Sequence, residues 1–123
     1  MRKFLKSFGF AFEGILHGLR TERHIKFHFY AAVFVILAGF LTGLTGTEWF
    51  IVLILIGGML ALELINSAVE RIVDLITSEQ HPLAKQAKDL AAGAVLIYAI
   101  VSAIIGLLIF IPKMWMLLKG MVL

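Results

Sequence analysis

The chain has no cysteine among its 123 residues, which excludes disulfides, thiolate metal sites and cysteine nucleophiles. Charge is scarce: 15% of residues are Asp, Glu, Lys or Arg, where a soluble domain has about a quarter. Proline is confined to Pro82 and Pro112, and each is expected to mark a helix boundary. The Gly-x-x-x-x-Gly-Lys-Ser/Thr loop of soluble nucleotide-binding proteins is missing. So are internal repeats, low-complexity tracts and a signal peptide: Met1–Lys6 starts like one, but Glu13, His17 and Arg20 interrupt the apolar run such a peptide needs. What is there is apolar. Hydrophobic residues make up 61% of the chain and mean hydropathy is +1.00, which points to a single small membrane domain spanning 1–123. A net charge of +3 and a pI near 9.5 do not imply nucleic acid, because the basic residues cluster at the ends of apolar segments.

Leu5, Phe8, Phe12, Ile15 and Leu19 recur at steps of three and four, predicting an amphipathic surface helix over about 3–20. A polar band from Arg20 to His28 follows, with Thr21 as the expected cap of a new helix and Glu22 in its first turn. Transmembrane spans are expected at about 29–44, 49–65 and 91–111, separated by a turn at Gly43–Glu48 and by a cytoplasmic helix-loop-helix over about 70–89. Pro112 and Lys113 are expected to end the last span, leaving an interfacial tail with Trp115 and Lys119. Six basic residues precede the first span (Arg2, Lys3, Lys6, Arg20, Arg23, Lys26) and three lie in 70–89 (Arg71, Lys85, Lys88), against none in the first turn and two in the tail. The positive-inside rule then puts the amino terminus and the 70–89 region in the cytoplasm and the carboxyl terminus outside.

The informative stretch is Glu63–Asp74, continuous with the second span. At about 100° per residue, Glu63, Asn66, Ser67, Glu70 and Asp74 share one helix face. Ionisable groups at membrane depth cost on the order of 2.5–3.5 kcal/mol each unless paired or functional. Carboxylate oxygens suit magnesium, which takes one or two of them with phosphate oxygens and water. Glu70 is the expected ligand, and Glu22, on another helix at the same boundary, can complete the site. Lys88 and Asp89 offer a cation for phosphate and an acceptor for another polar group. Glu63, deeper than the metal, is placed to take a proton from a hydroxyl arriving out of the bilayer. Phosphoryl transfer to a lipid alcohol fits this arrangement. Gly57-Gly58 is read as a helix-packing site, and the His24/His28 pair as interfacial polar packing in preference to zinc, since no third ligand is near in sequence.

Glu63-x-x-Asn66-Ser67-Ala68-x-Glu70-x-x-x-Asp74, followed by His81 and by Ala87-Lys88-Asp89, resembles the signature of the prokaryotic diacylglycerol kinase family, small three-span membrane enzymes that in several Gram-positive bacteria phosphorylate undecaprenol. The resemblance implies an all-α integral membrane homotrimer in the bacterial plasma membrane, with ATP as co-substrate and active sites combining helices of neighbouring subunits. It implies Glu63 as general base, Glu22 and Glu70 as magnesium ligands, and Asn66 beside the reacting groups, with Trp49 also assigned to the substrate. Lys88, Asp89, Asp74, Glu79 and His81 would line the nucleotide site, joined by Lys3 and Phe10 from the surface helix. The chain departs from the diacylglycerol-phosphorylating members at Lys3 and Phe10 (arginine and tyrosine there), at Lys26 and Phe27 (arginine and glutamine) and at His28 (glutamate). These departures spare Glu63 and Glu70, and the expected function is therefore phosphorylation of undecaprenol, with diacylglycerol as the alternative acceptor. A non-enzymatic small membrane subunit would account for the spans but not for the polar face.

Overall fold

Apolar runs separated by short polar joints fold here into helices alone. In the computed structural model, which describes residues 1–122, the order is α1 (Arg2–Thr21), α2 (Arg23–Thr42), α3 (Gly46–Ile76) and α4 (Pro82–Val122). Three of them, α2, α3 and α4, are long and apolar enough to cross a membrane. The usual inside-out distribution of a soluble protein is absent. Phe34, Phe40, Phe50, Ile54, Leu96 and Leu108 all face outward, and α4 buries only Val95. Such surfaces are stable against hydrocarbon, where the helical backbone satisfies its own polar groups.

Helix length places the chemistry. A bilayer core of about 30 Å takes roughly 20 residues. The 31 residues of α3 run about 46 Å and the 41 of α4 about 61 Å, so both project well beyond it. Twenty residues counted from Gly46 end at Ile65, so Glu63 falls within about the first 30 Å of α3 and Glu70 and Asp74 fall beyond it.

The joints follow local chemistry. Gly43 ends α2 in the left-handed region (φ 72°), a conformation that any side chain would strain. Thr45 then caps α3, its hydroxyl accepting the Glu48 N–H at 3.2 Å. Pro82 opens α4 as expected, with His81 Nδ1 accepting the Leu83 N–H at 3.1 Å. Two boundaries differ from expectation. The α1–α2 joint is Glu22, not Thr21, and Glu22 makes no side-chain cap. The Thr21 hydroxyl instead donates to the His17 carbonyl at 2.7 Å and accepts from Arg71 at 3.2 Å. Nor does α4 end at Pro112. One missing N–H does not stop a helix that is held beyond it: Lys113 Nζ lies 3.0 Å from Glu48 Oε2 and donates to the Gly43 carbonyl at 3.2 Å, fastening the end of α4 to the α2–α3 turn.

Gly58 serves helix packing as its position predicts. Tyr98 of α4 lies directly against it and donates its hydroxyl to the Ile54 carbonyl at 2.8 Å.

Candidate active site

The polar stripe of α3 is graded by depth. Glu63, Asn66 and Ser67 are buried, at 4%, 9% and 7% exposure; Glu70 is half-buried and Asp74 exposed. Beside this stripe three helices meet. Gly18 of α1 has no side chain, and the ends of Ile25 (α2) and Leu64 (α3) fill that space, each within 2.9 Å of where a Cβ would stand. A cavity of about 540 Å³ opens beside this joint, lined by Ala11, Gly14 and Ile15 of α1 and by Ser67, Ala68 and Arg71 of α3.

Glu63 has one ionisable neighbour in ion-pairing reach among the described residues: His28 of α2, whose Nε2 lies 3.2 Å from Oε1. Asn66, one turn further along α3, has a buried Oδ1 with no hydrogen-bond partner. Buried amide oxygens are nearly always paired, so an orphan beside a buried carboxylate marks a place for a polar ligand atom.

A second cavity of about 630 Å³ lies between the end of α3 and the start of α4. Asp74, Glu79, His81, Lys85, Lys88 and Asp89 all line it, which brings together five of the seven residues assigned to the nucleotide. Lys88 Nζ is 2.6 Å from Asp74 Oδ1, and this hydrogen bond raises the Lys88 pKa above its ordinary 10.5. Lys85 is raised in the same way by its hydrogen bond to Asp89. Both ammonium groups precede the apolar run of α4 and stay charged at neutral pH.

Other assigned residues are not gathered into this region. Trp49 sits in the first turn of α3, about 21 Å from Glu63 along the same helix, with its ring 4.8 Å from that of Phe40 and over Gly39. Packing within the α2–α3 hairpin accounts for it, and it does not reach the polar stripe. Lys3 and Phe10 are exposed on α1 and do not line the cleft. The Glu22 carboxylate is already engaged, its Oε1 2.6 Å from Arg71 Nη2. Among the described residues no three His, Asp or Glu side chains converge as a metal cluster. The oxygen donors of Glu70 and Glu22 nonetheless suit magnesium, which needs only one or two carboxylates when phosphate and water complete its shell.

Sequence reasoning gave Arg71 no role in the site, and read His28 as interfacial polar packing with His24 and as a departure from the family, not as a partner of Glu63. Arg71 follows Ser67 by four residues and so belongs to the edge of the same stripe; that spacing was the available signal. Its guanidinium reaches both Thr21 and Glu22 and so braces the α1–α2 joint against α3. The pairing of His28 with Glu63 had no local signal, because the partner is on another helix.

Comparison with known proteins places the chain in a family. The family model described as prokaryotic diacylglycerol kinase matches residues 9–110. The undecaprenol kinase of Bacillus subtilis (strain 168) is 55% identical over 114 residues, 93% of this chain and 93% of its own length. A diacylglycerol kinase of Synechocystis is 37% identical over 111 residues, 89% of this chain and 63% of its own. One from Haemophilus influenzae is 31% identical over 108 residues, 86% of this chain and 92% of its own.

Proposed function

The chain belongs to the prokaryotic diacylglycerol kinase family and is a lipid kinase, and from that premise we propose that it transfers the γ-phosphoryl group of ATP to the hydroxyl of undecaprenol, with Glu63 as general base. The observation that carries this reading is a carboxylate at 4% exposure on a helix that, about 10 Å further on, presents Glu70 at the edge of the bilayer. The acceptor is taken from similarity to the undecaprenol kinase of Bacillus subtilis. Relatives named diacylglycerol kinase make diacylglycerol the second reading.

In the reaction, the lipid hydroxyl enters from the hydrocarbon beside Glu63 and Asn66. As the new oxygen–phosphorus bond forms, the hydroxyl proton passes to the free oxygen of Glu63, and ADP leaves with the electrons of the broken bond. Asn66, whose Oδ1 is unpartnered, orients the reacting groups. Lys88 answers the phosphate charge, and Asp74, Asp89, Glu79 and His81 shape the nucleotide cleft. Glu70 and Glu22 would hold magnesium, which when bound neutralises charge on the phosphates; Glu22 must then leave or share Arg71.

Residues 1–123 are read as one membrane domain of the bacterial plasma membrane, with α1 along the cytoplasmic surface, the cleft in the cytoplasm and the carboxyl terminus outside. A homotrimer would cover the outward faces of the helices and bring a neighbour's surface helix, with Lys3 and Phe10, to a nucleotide site those residues do not reach within one chain.

The test uses purified protein with labelled ATP and undecaprenol in mixed micelles. Wild type is expected to label the lipid, and Glu63→Gln to lose turnover by about three orders of magnitude while still binding magnesium–ATP. A Glu63→Gln enzyme with near wild-type turnover would remove the base assignment, and no labelled lipid from wild type would overturn the reading.

A further inference from the structure

We propose that His28 is a positioning residue for the reaction: it holds the Glu63 carboxylate by one oxygen and leaves the other aimed at the lipid hydroxyl. The inference rests on the reading of Glu63 as base.

The geometry begins with what fixes each partner. His28 lies one turn deeper along α2 than Ile25, which is 2% exposed and wedged with Leu64 into the space over Gly18. Glu63 immediately precedes Leu64 on α3. The same three-helix joint that locks Ile25 and Leu64 therefore fixes the backbone on both sides of the dyad. The His28 side chain is 20% exposed and that of Glu63 5%. No other basic group stands in ion-pairing reach of this carboxylate among the described residues.

A carboxylate beside Nε2 selects the imidazole tautomer with its hydrogen on that nitrogen, since a nitrogen lone pair turned toward the anion would repel it. Nε2 lies 3.2 Å from Oε1, and a small rotation of the ring aligns its N–H with that oxygen. Catalytic hydrogen bonds often reach their final length and alignment only in the substrate complex. Neutral and protonated imidazole both carry this hydrogen, so the holding function does not depend on charging the ring. Two consequences follow for the base. A carboxyl group on a flexible Glu side chain has several rotamers; tethered at Oε1 it keeps one, and Oε2 becomes the acceptor. The proton taken from the lipid alcohol goes to Oε2, and the His28 proton stays on its nitrogen, so the step balances without transfer through the ring.

A structural role and a positioning role make different predictions. Phe in place of His28 keeps an aromatic ring and removes the donor; Gln restores a donor at similar reach. The expected result for His28→Phe is a fall in kcat of about 10- to 100-fold, the worth of one charge-assisted hydrogen bond, with KM for ATP within about threefold of wild type. His28→Gln is expected to recover to within about fivefold of wild type. In a Glu63→Gln background, where no carboxylate remains to be held, His28→Phe is expected to add no further loss. Magnesium–ATP binding and the unfolding midpoint in micelles, measured on each variant, separate loss of positioning from loss of fold. Wild-type kcat in His28→Phe, equal impairment in His28→Gln and His28→Phe, or the same factor lost again in the Glu63→Gln background would each overturn the role of His28. Inactive Glu63→Gln beside active His28→Phe removes the role of His28 alone, whereas active Glu63→Gln removes the base assignment beneath it.

Discussion

Replacing Gly58 with Ala should change sign in its effect on stability according to what stands at position 98. The three atoms nearest to a Cβ built on Gly58 are the hydroxyl and two ring carbons of Tyr98, of which the hydroxyl and the carbon that bears it are too close to coexist with it, so the ring must move. Its departure sacrifices the 2.8 Å hydrogen bond to the Ile54 carbonyl, worth about 0.6 and at most about 1.7 kcal/mol between membrane helices. Overpacking adds about 1–3 kcal/mol, and alanine returns about 1 kcal/mol of helix propensity. The net expectation is a loss of about 1–3 kcal/mol. With Tyr98 already cut to Ala, the obstruction is gone and the propensity gain of up to about 1 kcal/mol remains, so the same substitution should stabilise. Equilibrium unfolding in micelles of increasing dodecyl sulfate fraction, followed by helical circular dichroism, gives the double-mutant cycle. The reasoning is refuted if Gly58→Ala costs the same in both backgrounds within about 0.5 kcal/mol. Gly58 lies about 7.5 Å along α3 from Glu63, so a displaced α4 should also shift the Lys88 side of the cleft and lower kcat.

Glu70→Gln should raise the magnesium concentration for half-maximal activity at least about tenfold; an unchanged magnesium titration would remove Glu70 as a ligand. Lys88→Ala should raise KM for ATP by about 10- to 100-fold without altering KM for the lipid, as steady-state kinetics in micelles would show. Because the Lys88 pKa is raised above 10.5 by its bond to Asp74, the stability that this pair contributes is fully present below 10.5 and is lost as pH rises through the raised value. Thermal midpoints of wild type and Asp74→Asn should accordingly keep a constant difference from pH 7 to about 9.5 and converge only above about 10.5. Arg71→Met should release the α1–α2 joint, seen as faster amide exchange around Thr21 and Glu22; unchanged exchange there would refute the brace.

What could be read from the sequence was periodic or punctuated by proline. The stripe from Glu63 to Asp74 has helical spacing, and a single helix carries it; Pro82 opens α4 because its backbone suits a first turn. Pro112 misled because the contacts that carry α4 past it, Lys113 with Glu48 and Gly43, come from a turn about 70 residues away in sequence. The packing of Trp49, whose ring Phe40 and Gly39 receive, was not legible, because no local pattern announces a partner across a hairpin. The same holds for His28 and Arg71. Their neighbours are Glu63 on α3 and Glu22 at the α1–α2 joint, and contacts distant in sequence, such as those over Gly18, fix how these elements meet.

The most direct test of the central claim is competition between the two lipid alcohols. Purified wild-type protein is given labelled ATP and equimolar undecaprenol and diacylglycerol in one micelle preparation, and the phosphorylated lipids are separated. The account predicts label chiefly in undecaprenyl phosphate, with kcat/KM favouring undecaprenol by at least about tenfold. Equal labelling, or label chiefly in phosphatidic acid, would contradict it.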